Sequence, residues 1–218
     1  MISYEKKCIF VHIPKTGGAS IEKIIWPKRR DRVVGNLWKG YVKPYYNKYQ
    51  TGGMQHLLAR HIMAEVGQET FEKFLKFTIV RNPWDKAVSQ YAYLKKRKDL
   101  RDFVGMSENA DFKTYLSLTK QKKHVQWESQ HRFICDDNGR QLVDYVGRFE
   151  NFEADVNHIL RVLEIGHSKI PHRNKSDRTH YQDYYDAESA EMVGEMYRED
   201  AEIFGYTFQA NGKCSRTS

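Results

Sequence analysis

Residues 9–21 read IFVHIPKTGGASI, and this stretch decides how the rest of the chain is interpreted. Its apolar start is typical of a buried β-strand, and the run IEKIIW that begins at Ile21 has helical spacing. A strand, a glycine-rich turn and a helix in this order bring backbone N–H groups and a helix N-terminus to one point, which suits an anion. The turn contains Pro14, Lys15, Thr16 and the adjacent glycines Gly17 and Gly18.

The order of residues in this turn separates it from the loop of nucleotide triphosphatases. That loop reads GxxxxGK[ST], with the lysine after the glycines. Here Lys15 precedes Gly17 and Gly18, and no glycine lies five residues before Gly18. The stretch therefore predicts a different phosphate-binding loop and disfavours a nucleotide kinase. The structural alternative is an ordinary tight turn with a surface lysine.

The composition is that of a globular protein with a basic surface. The chain has 218 residues, of which 40% are hydrophobic and only 5 are proline. This length suits one domain, and we expect a single domain over residues 1–218. The 36 Lys and Arg exceed the 28 Asp and Glu, and the net charge of +8 favours anionic partners. The charge is dispersed along the chain, and we expect no nucleic-acid partner.

Cysteine usage and hydropathy indicate a protein of a reducing compartment. The 3 cysteines form no CxxC pair and no zinc-binding spacing. The N-terminus lacks the apolar core of a signal peptide, and no apolar run approaches the ~18 residues of a membrane span. We therefore expect a cytoplasmic protein that has neither a metal ion nor a membrane segment.

A second strand is predicted at 76–80, and polar residues follow it. Arg81 comes directly after the strand. Asn82 is then a suitable N-cap, and Pro83 a suitable first residue, for a helix. Ser89 lies about two turns after Asn82, on the side of the helix that carries the cap. Because open α/β sheets bind ligands at the carboxyl ends of their strands, Arg81 is expected at the same sheet edge as the glycine-rich turn.

The rest of the chain alternates helices and strands. We predict helices at 55–67 and 111–118, a strand at 142–149, a helix capped by Asn151 and a last helix at 187–204. Alternation of this kind predicts an α/β protein in which a central parallel sheet is flanked by helices.

Several stretches together resemble one family. PKTGGAS resembles the 5′-phosphosulfate loop of sulfotransferases that use 3′-phosphoadenosine 5′-phosphosulfate (PAPS), and FTIVRNPWDKAVSQY resembles their 3′-phosphate signature. QHLLARHI resembles the family segment whose histidine acts as a base. VGRFENFEADVNHIL and residues 171–208 resemble the carbohydrate-type branch, which includes the heparan and chondroitin sulfotransferases. The resemblance covers most of residues 8–208.

The resemblance implies a P-loop-NTPase-like sulfotransferase fold and assigns roles to individual residues. Lys15 and His56 would be catalytic, the lysine at the leaving group and the histidine as general base. Arg81 and Ser89 would hold the 3′-phosphate. The PAPS-binding set would be Lys15, Thr16, Gly17, Gly18, Ala19, Ser20, Arg81, Ser89, Lys175, Ser176 and Arg178.

The sequence departs from the family pattern at two positions. Ala19 replaces the threonine of the PKTGGTS form, which removes one hydroxyl donor to the nucleotide. Lys86 replaces the usual arginine after RNPxD, which keeps the charge and loses the bidentate fork. Backbone amides and Ser20 remain available as donors at the loop.

Two other histidines near the matched base are given different roles. His12 precedes the loop and is assigned a structural role. His61 lies five residues after His56, about 140° around a helix, so the two cannot face one site equally. An unperturbed histidine has a pKa of about 6.5, so His56 as the base predicts activity that rises between about pH 6 and 7.5.

The resemblance implies transfer of the sulfuryl group of PAPS to a hydroxyl, with a carbohydrate as the expected acceptor, by a soluble microbial or viral member of the family. Two alternatives stay open. One is a sulfotransferase that acts on a small-molecule or peptide hydroxyl. The other is a nucleotide- or polyanion-binding module without turnover, which has no need of Lys15 and His56 at these places.

Overall fold

Four strands form one sheet among the residues that the computed structural model describes, which are 1–27, 54–166 and 179–209. β2, β3 and β4 run parallel, so their carboxyl ends share one edge of the sheet. The strands lie side by side in chain order as β1 Ile2–Ser3, β2 Cys8–Phe10, β3 Leu75–Val80 and β4 Tyr145–Arg148.

The sheet is mixed, whereas the sequence predicted a parallel sheet. The prediction is wrong for β1 and right for the other three strands. β1 pairs with β2 in antiparallel orientation, with Ile2 opposite Ile9. Only residues 4–7 connect the two strands. A connection this short closes a hairpin, whereas a parallel crossover needs about a dozen residues. The sequence pattern missed β1 because two residues are too few to show a period.

Packing divides the described residues into two units. The first takes its residues from 1–81 and 123–175, and the second takes its residues from 82–122 and 176–218. The whole sheet belongs to the first unit, and the boundary falls directly after the residue that follows β3. A single domain over residues 1–218 stays a prediction.

Among the described α-helices, none is both long enough and apolar enough to cross a membrane. Each of these helices belongs to one of the two units. The first unit contains α1, α2, α3, α7 and α8, and the second contains α4, α5, α6, α9 and α10. Their bounds are α1 Gly18–Ile25, α2 Ala59–Val66, α3 Gln68–Lys73, α4 Pro83–Lys95, α5 Lys98–Val104, α6 Phe112–Lys120, α7 His131–Ile134, α8 Phe152–Val162, α9 Ala187–Met196 and α10 Arg198–Phe204.

The core of the first unit joins the sheet to α1 and α8. Fully buried side chains of the inner strands, among them Phe10 and Phe77, contact apolar residues of both helices. Ile9 is also fully buried, so both faces of β2 are covered. Each large apolar side chain contributes about 1.5–3 kcal/mol when buried. This cluster therefore fixes α1, and the loop before it, against the sheet.

The helix expected at 55–67 is interrupted. Met54–His56 forms a single 3-10 turn, and α2 begins only after Leu58, which is extended at φ −69° and ψ 151°. The side chains of the 3-10 turn bond to other parts of the first unit, as described below, and do not continue a helix. His56 consequently lies before α2, whereas His61 lies within it.

The start of α4 follows the prediction from the sequence. The Asn82 side chain accepts a hydrogen bond from the backbone N–H of Trp84 at 3.0 Å, with Pro83 at the first helical position. The Trp84 indole N–H donates to the carbonyl of Ala190 at 2.9 Å, and the Tyr185 hydroxyl donates to the Trp84 carbonyl at 2.8 Å. These bonds tie α4 to α9 and to the segment before it.

The last predicted helix is divided in two. α9 and α10 are separated at Tyr197, which has φ −126° and ψ 32°. Tyr197 is buried, and its ring centroid lies 5.1 Å from the Lys86 ammonium. The apolar row of the sequence continues through this residue, so periodicity could not reveal the break.

Candidate active site

Residues 14–20 form a tight loop after β2 together with the first turn of α1. Lys15 has φ 68° and Gly17 has φ 84°, so two left-handed residues flank Thr16. The Thr16 hydroxyl donates to the carbonyl of Ile13 at 2.9 Å and closes the turn. Turns with left-handed residues orient successive N–H groups towards one concave side, where anions bind. The N-terminus of α1 follows directly and adds partial positive charge.

Both glycines of the loop are needed because other side chains approach their backbone closely. A Cβ at Gly17 would lie 2.7 Å from the ring of Phe152, and its positive φ adds strain for any other residue. A Cβ at Gly18 would lie 2.2 Å from Nε2 of His12. The rings of Phe152 and His12 therefore pack so close to the loop that only a residue without a Cβ fits at Gly17 and Gly18.

Gly18→Ala is expected to destabilise the fold by about 1–3 kcal/mol, since the added methyl overlaps the buried ring of His12, which is held by its bond to Glu22. The displaced loop should also lose affinity for adenosine 3′,5′-bisphosphate. Thermal unfolding and calorimetric titration measure the two effects. Gly166→Ala is the control, because a Cβ there meets nothing within 4 Å, and unchanged binding by Gly18→Ala would contradict the placement of the loop.

Arg81 supports the loop from the end of β3. Its Nη1 donates to the carbonyl of Lys15 at 2.9 Å, and its guanidinium carbon lies 3.9 Å from the centroid of the Phe149 ring. The Gln130 amide accepts from the Arg81 N–H at 2.9 Å and donates to its carbonyl at 2.8 Å. Arg81 is 5% exposed. A buried cation thus fixes the conformation of Lys15 and places charge beside the loop.

The other predicted PAPS ligands have different positions. Ser89 lies on α4 in the second unit and Arg81 in the first, so their joint contact with a 3′-phosphate stays a prediction. In the first turn of α1, Ala19 is exposed and Ser20 is buried. Three residues lie outside the described parts of the chain, and these are Lys175, Ser176 and Arg178.

His56, the predicted base, lies beside the residue that leads into the loop. Its Nδ1 is 2.9 Å from the carbonyl oxygen of His12, and the two rings meet edge-on with centroids 4.6 Å apart. A carbonyl oxygen only accepts, so Nδ1 carries the proton and Nε2 of the neutral ring keeps its lone pair. This tautomer is the one that a general base at Nε2 requires.

The surroundings of His56 keep it neutral. Burial lowers its pKa to about 3, and repulsion from His12 adds to the effect. The hydrogen bond to the His12 carbonyl acts in the opposite direction, and the Met1 ammonium and His124 contribute further repulsion. His56 therefore holds no proton on Nε2 from about pH 5 upwards. A pKa of about 3 replaces the rise in activity expected between about pH 6 and 7.5 with a profile that is flat over this range.

His12 is buried against α1 and is bonded to it through Glu22. Its Nδ1 donates to Oε1 of Glu22 at 2.8 Å, and both side chains are 7% exposed. The same oxygen accepts from Nε2 of Gln55 at 2.5 Å. The ring also stacks on Phe10 with centroids 5.3 Å apart. These contacts support the structural role that the sequence assigned to His12.

Sequence reasoning missed the residues that hold the loop and the base in place. One of them left a signal, since Glu22 lies four residues after Gly18 and therefore on the same face of α1, one turn further on. Gln55 directly precedes His56 but its bond to Glu22 has no local signal, and the remaining three come from distant positions. The missed residues are Glu22, Gln55, Gln130, Phe149 and Phe152.

The first unit thus combines a tight loop whose geometry suits an anion, a buried arginine and a neutral imidazole. These groups can bind a phosphate or sulfate group and accept a proton from a nearby hydroxyl. Within residues 1–27, 54–166 and 179–209, no three His, Cys, Asp or Glu side chains are grouped as metal ligands.

Comparison with known proteins gives the class of this chain. The sequence pattern of the Sulfotransferase family matches residues 1–207, and the chain belongs to this family. An uncharacterised protein of Archaeoglobus fulgidus is 28% identical over 107 residues, which are 47% of this chain and 78% of that protein. The crystal structure of a sulfotransferase from Alicyclobacillus acidocaldarius is 18% identical, with a TM-score of 0.38. That match covers 69% of this chain and 60% of the Alicyclobacillus protein, so this chain spans less than two thirds of the length of that protein.

Proposed function

We propose that the chain transfers the sulfuryl group of PAPS to a hydroxyl group of a carbohydrate. Membership of the sulfotransferase family supports the transferase class. The observation that carries the proposal is the neutral imidazole of His56, oriented by the His12 carbonyl at 2.9 Å beside an anion-binding loop. A binding module has no use for a base in this tautomer.

We propose that the loop binds the 5′-phosphosulfate group of PAPS. Lys15 supplies a full positive charge. Gly17 and Gly18 have no Cβ, so the nucleotide can approach the backbone of the loop closely, and an added Cβ at either position would overlap a neighbouring ring. PAPS also carries a 3′-phosphate, for which we propose Arg81 and Ser89, with further donors from Lys175, Ser176 and Arg178. The succession of β2, loop and α1 suits a P-loop-NTPase-like fold whose lysine precedes the glycines.

The chemistry needs a base and a group that stabilises the leaving bisphosphate. In our proposal Nε2 of His56 takes the proton of the acceptor hydroxyl while the hydroxyl oxygen attacks sulfur. The bond from sulfur to the phosphate oxygen breaks in line, and Lys15 and the loop N–H groups stabilise the charge that develops on that oxygen. The products are a sulfate ester and adenosine 3′,5′-bisphosphate.

Incubation with sulfur-labelled PAPS and a panel of glycans, small hydroxylated compounds and peptides tests this function. We expect label on a glycan. Label on a small molecule or peptide would keep the sulfotransferase and replace the acceptor. Binding of adenosine 3′,5′-bisphosphate without transfer to any acceptor would identify a binding module, and a chain that binds no PAPS would overturn the proposal.

Recognition of the 3′-phosphate predicts selectivity between nucleotides. Adenosine 3′,5′-bisphosphate should bind more than tenfold better than 5′-ADP, because hydrogen bonds to charged groups contribute about 1.5–3 kcal/mol each. Ser89→Ala should narrow this difference by removing one donor. Calorimetry measures both affinities, and Ser117→Ala, an exposed serine on α6, is the control. Equal affinity of the unmodified chain for the two nucleotides would remove PAPS as the donor.

A further inference from the structure

A buried carboxylate on α1 has no part in the chemistry proposed above. Glu22 is 5% exposed, and a charge so deeply buried is costly unless it is paired. Its Oε1 accepts two hydrogen bonds, from Nδ1 of His12 at 2.8 Å and from Nε2 of Gln55 at 2.5 Å. One oxygen atom therefore holds two side chains that are remote from each other in sequence.

Both partners of Glu22 adjoin His56. Gln55 is the preceding residue in the same 3-10 turn. His12 contacts His56 twice, through its carbonyl oxygen at 2.9 Å from Nδ1 and through its ring at 4.6 Å between centroids. Each route from Glu22 to His56 thus passes through a single residue.

These contacts fix two properties of His56 that a base needs. The bond to the His12 carbonyl selects the tautomer with the proton on Nδ1. The bond from Gln55 to Glu22 holds the 3-10 turn against α1 and so sets the position of the ring relative to the loop. Catalytic groups that shift by about 1 Å lose much of their effect.

We propose that Glu22 is a positioning residue for His56, acting through His12 and Gln55. The proposal rests on the function of His56 as base. It makes α1, whose N-terminus forms part of the anion-binding loop, also the element that locates the proton acceptor. The position of the donor site and the position of the base are then set by one helix.

Glu22→Gln tests this role with little change in side-chain size. The amide oxygen still accepts, but the hydrogen bonds lose their charge and weaken. Glu65→Gln is the matched control, since Glu65 is an exposed glutamate on α2 in the same unit. Thermal unfolding of each variant establishes that it is folded.

The first measurement needs no acceptor. Long-range proton–nitrogen NMR of the full isotope-labelled chain reports the tautomer of each histidine, and the His56→Ala spectrum assigns the His56 signals. We expect one tautomer, with the proton on Nδ1, between about pH 5 and 8 in the unmodified chain. Glu22→Gln should give a mixture of both tautomers at His56, and Glu65→Gln should not.

The second measurement is a double-mutant cycle on turnover. Residues that orient metal ligands typically contribute about 10–100-fold. By analogy we expect a loss of about this size in kcat for Glu22→Gln, with an unchanged Kd for adenosine 3′,5′-bisphosphate. In the His56→Ala background the same change should cost nothing further, because its effect passes through His56. If Glu22 had only a structural role, Glu22→Gln would lower kcat by the same factor in the unmodified chain and in His56→Ala.

The outcomes separate this inference from the proposed function. An unchanged tautomer and unchanged kcat in folded Glu22→Gln overturn the positioning role even if His56→Ala is inactive. Normal turnover of His56→Ala would overturn the assignment of His56 as the base. The NMR measurement would still show whether Glu22 controls the tautomer of His56. If Glu22→Gln does not fold, Gln55→Ala decides, because it removes only the second hydrogen bond and leaves the pair of His12 and Glu22 intact. A single His56 tautomer and full kcat in Gln55→Ala would then reject the proposal.

Discussion

His56→Ala is expected to lower turnover about 10²–10⁴-fold, the usual contribution of a general base. The affinity for adenosine 3′,5′-bisphosphate should stay unchanged, because the imidazole serves the acceptor and not the donor. Steady-state kinetics with the acceptor found in the label-transfer panel and calorimetry with the bisphosphate measure the two quantities. His61→Ala on α2 is the control and should remain active. Near-normal turnover of His56→Ala would show that another residue is the base.

The pH dependence of kcat supplies a second test of the same residue. Because the pKa of His56 is lowered to about 3, its lone pair is present throughout the neutral range. The contribution of His56 to kcat should therefore be flat from about pH 5 to 8. A base of ordinary pKa, about 6.5, would instead make kcat rise tenfold per pH unit below that value. A sloping profile that disappears in His56→Ala would contradict the low pKa.

Lys15→Ala is expected to lower kcat by about 10²-fold or more and to weaken PAPS binding to a smaller extent. The ammonium group should count most when negative charge builds up on the leaving bisphosphate. Lys15→Met keeps more of the side-chain volume and should behave in the same way. Both variants are compared with the unmodified chain by separate measurement of kcat and of Kd for PAPS.

Lys73→Ala is the control for Lys15, since it removes an exposed lysine of the same unit that pairs with Glu69 at 2.6 Å. It should leave kcat and Kd unchanged. If Lys15→Ala loses PAPS binding while the remaining complex turns over at the normal rate, Lys15 is a ground-state anchor. The stabilisation of the leaving group must then come from the N–H groups of the loop.

Elements with strong local signals could be predicted from the sequence. The cap at Asn82 and the proline after it marked the start of α4, and the apolar run after the N-terminus marked β2. The interruption before α2 could not be predicted, because the 3-10 turn is held by bonds to Glu22 and His12, far away in sequence. Tertiary contacts of this kind override helix periodicity.

The candidate site divides along the same line. The loop with Lys15 and its glycines was visible in the sequence, since a turn between a strand and a helix is a local feature. That Arg81 donates to the Lys15 carbonyl follows from the parallel pairing of β2 and β3, which no single segment encodes. The low pKa of His56 likewise comes from burial and from its neighbours, so a value of about 6.5 was the only one available from the sequence.

The contacts that hold the loop determine whether its backbone becomes ordered during folding or only when a ligand binds. Fixing the backbone of one residue costs about 1–2 kcal/mol of conformational entropy, so a mobile loop of the length of residues 14–20 would lose on the order of 10 kcal/mol on binding. Here the Lys15 carbonyl is held by Arg81, and Gly17 rests on Phe152. Most of this entropy is therefore lost during folding. A nucleotide then meets a preorganised surface, and more of its contact energy remains for affinity and for the transition state.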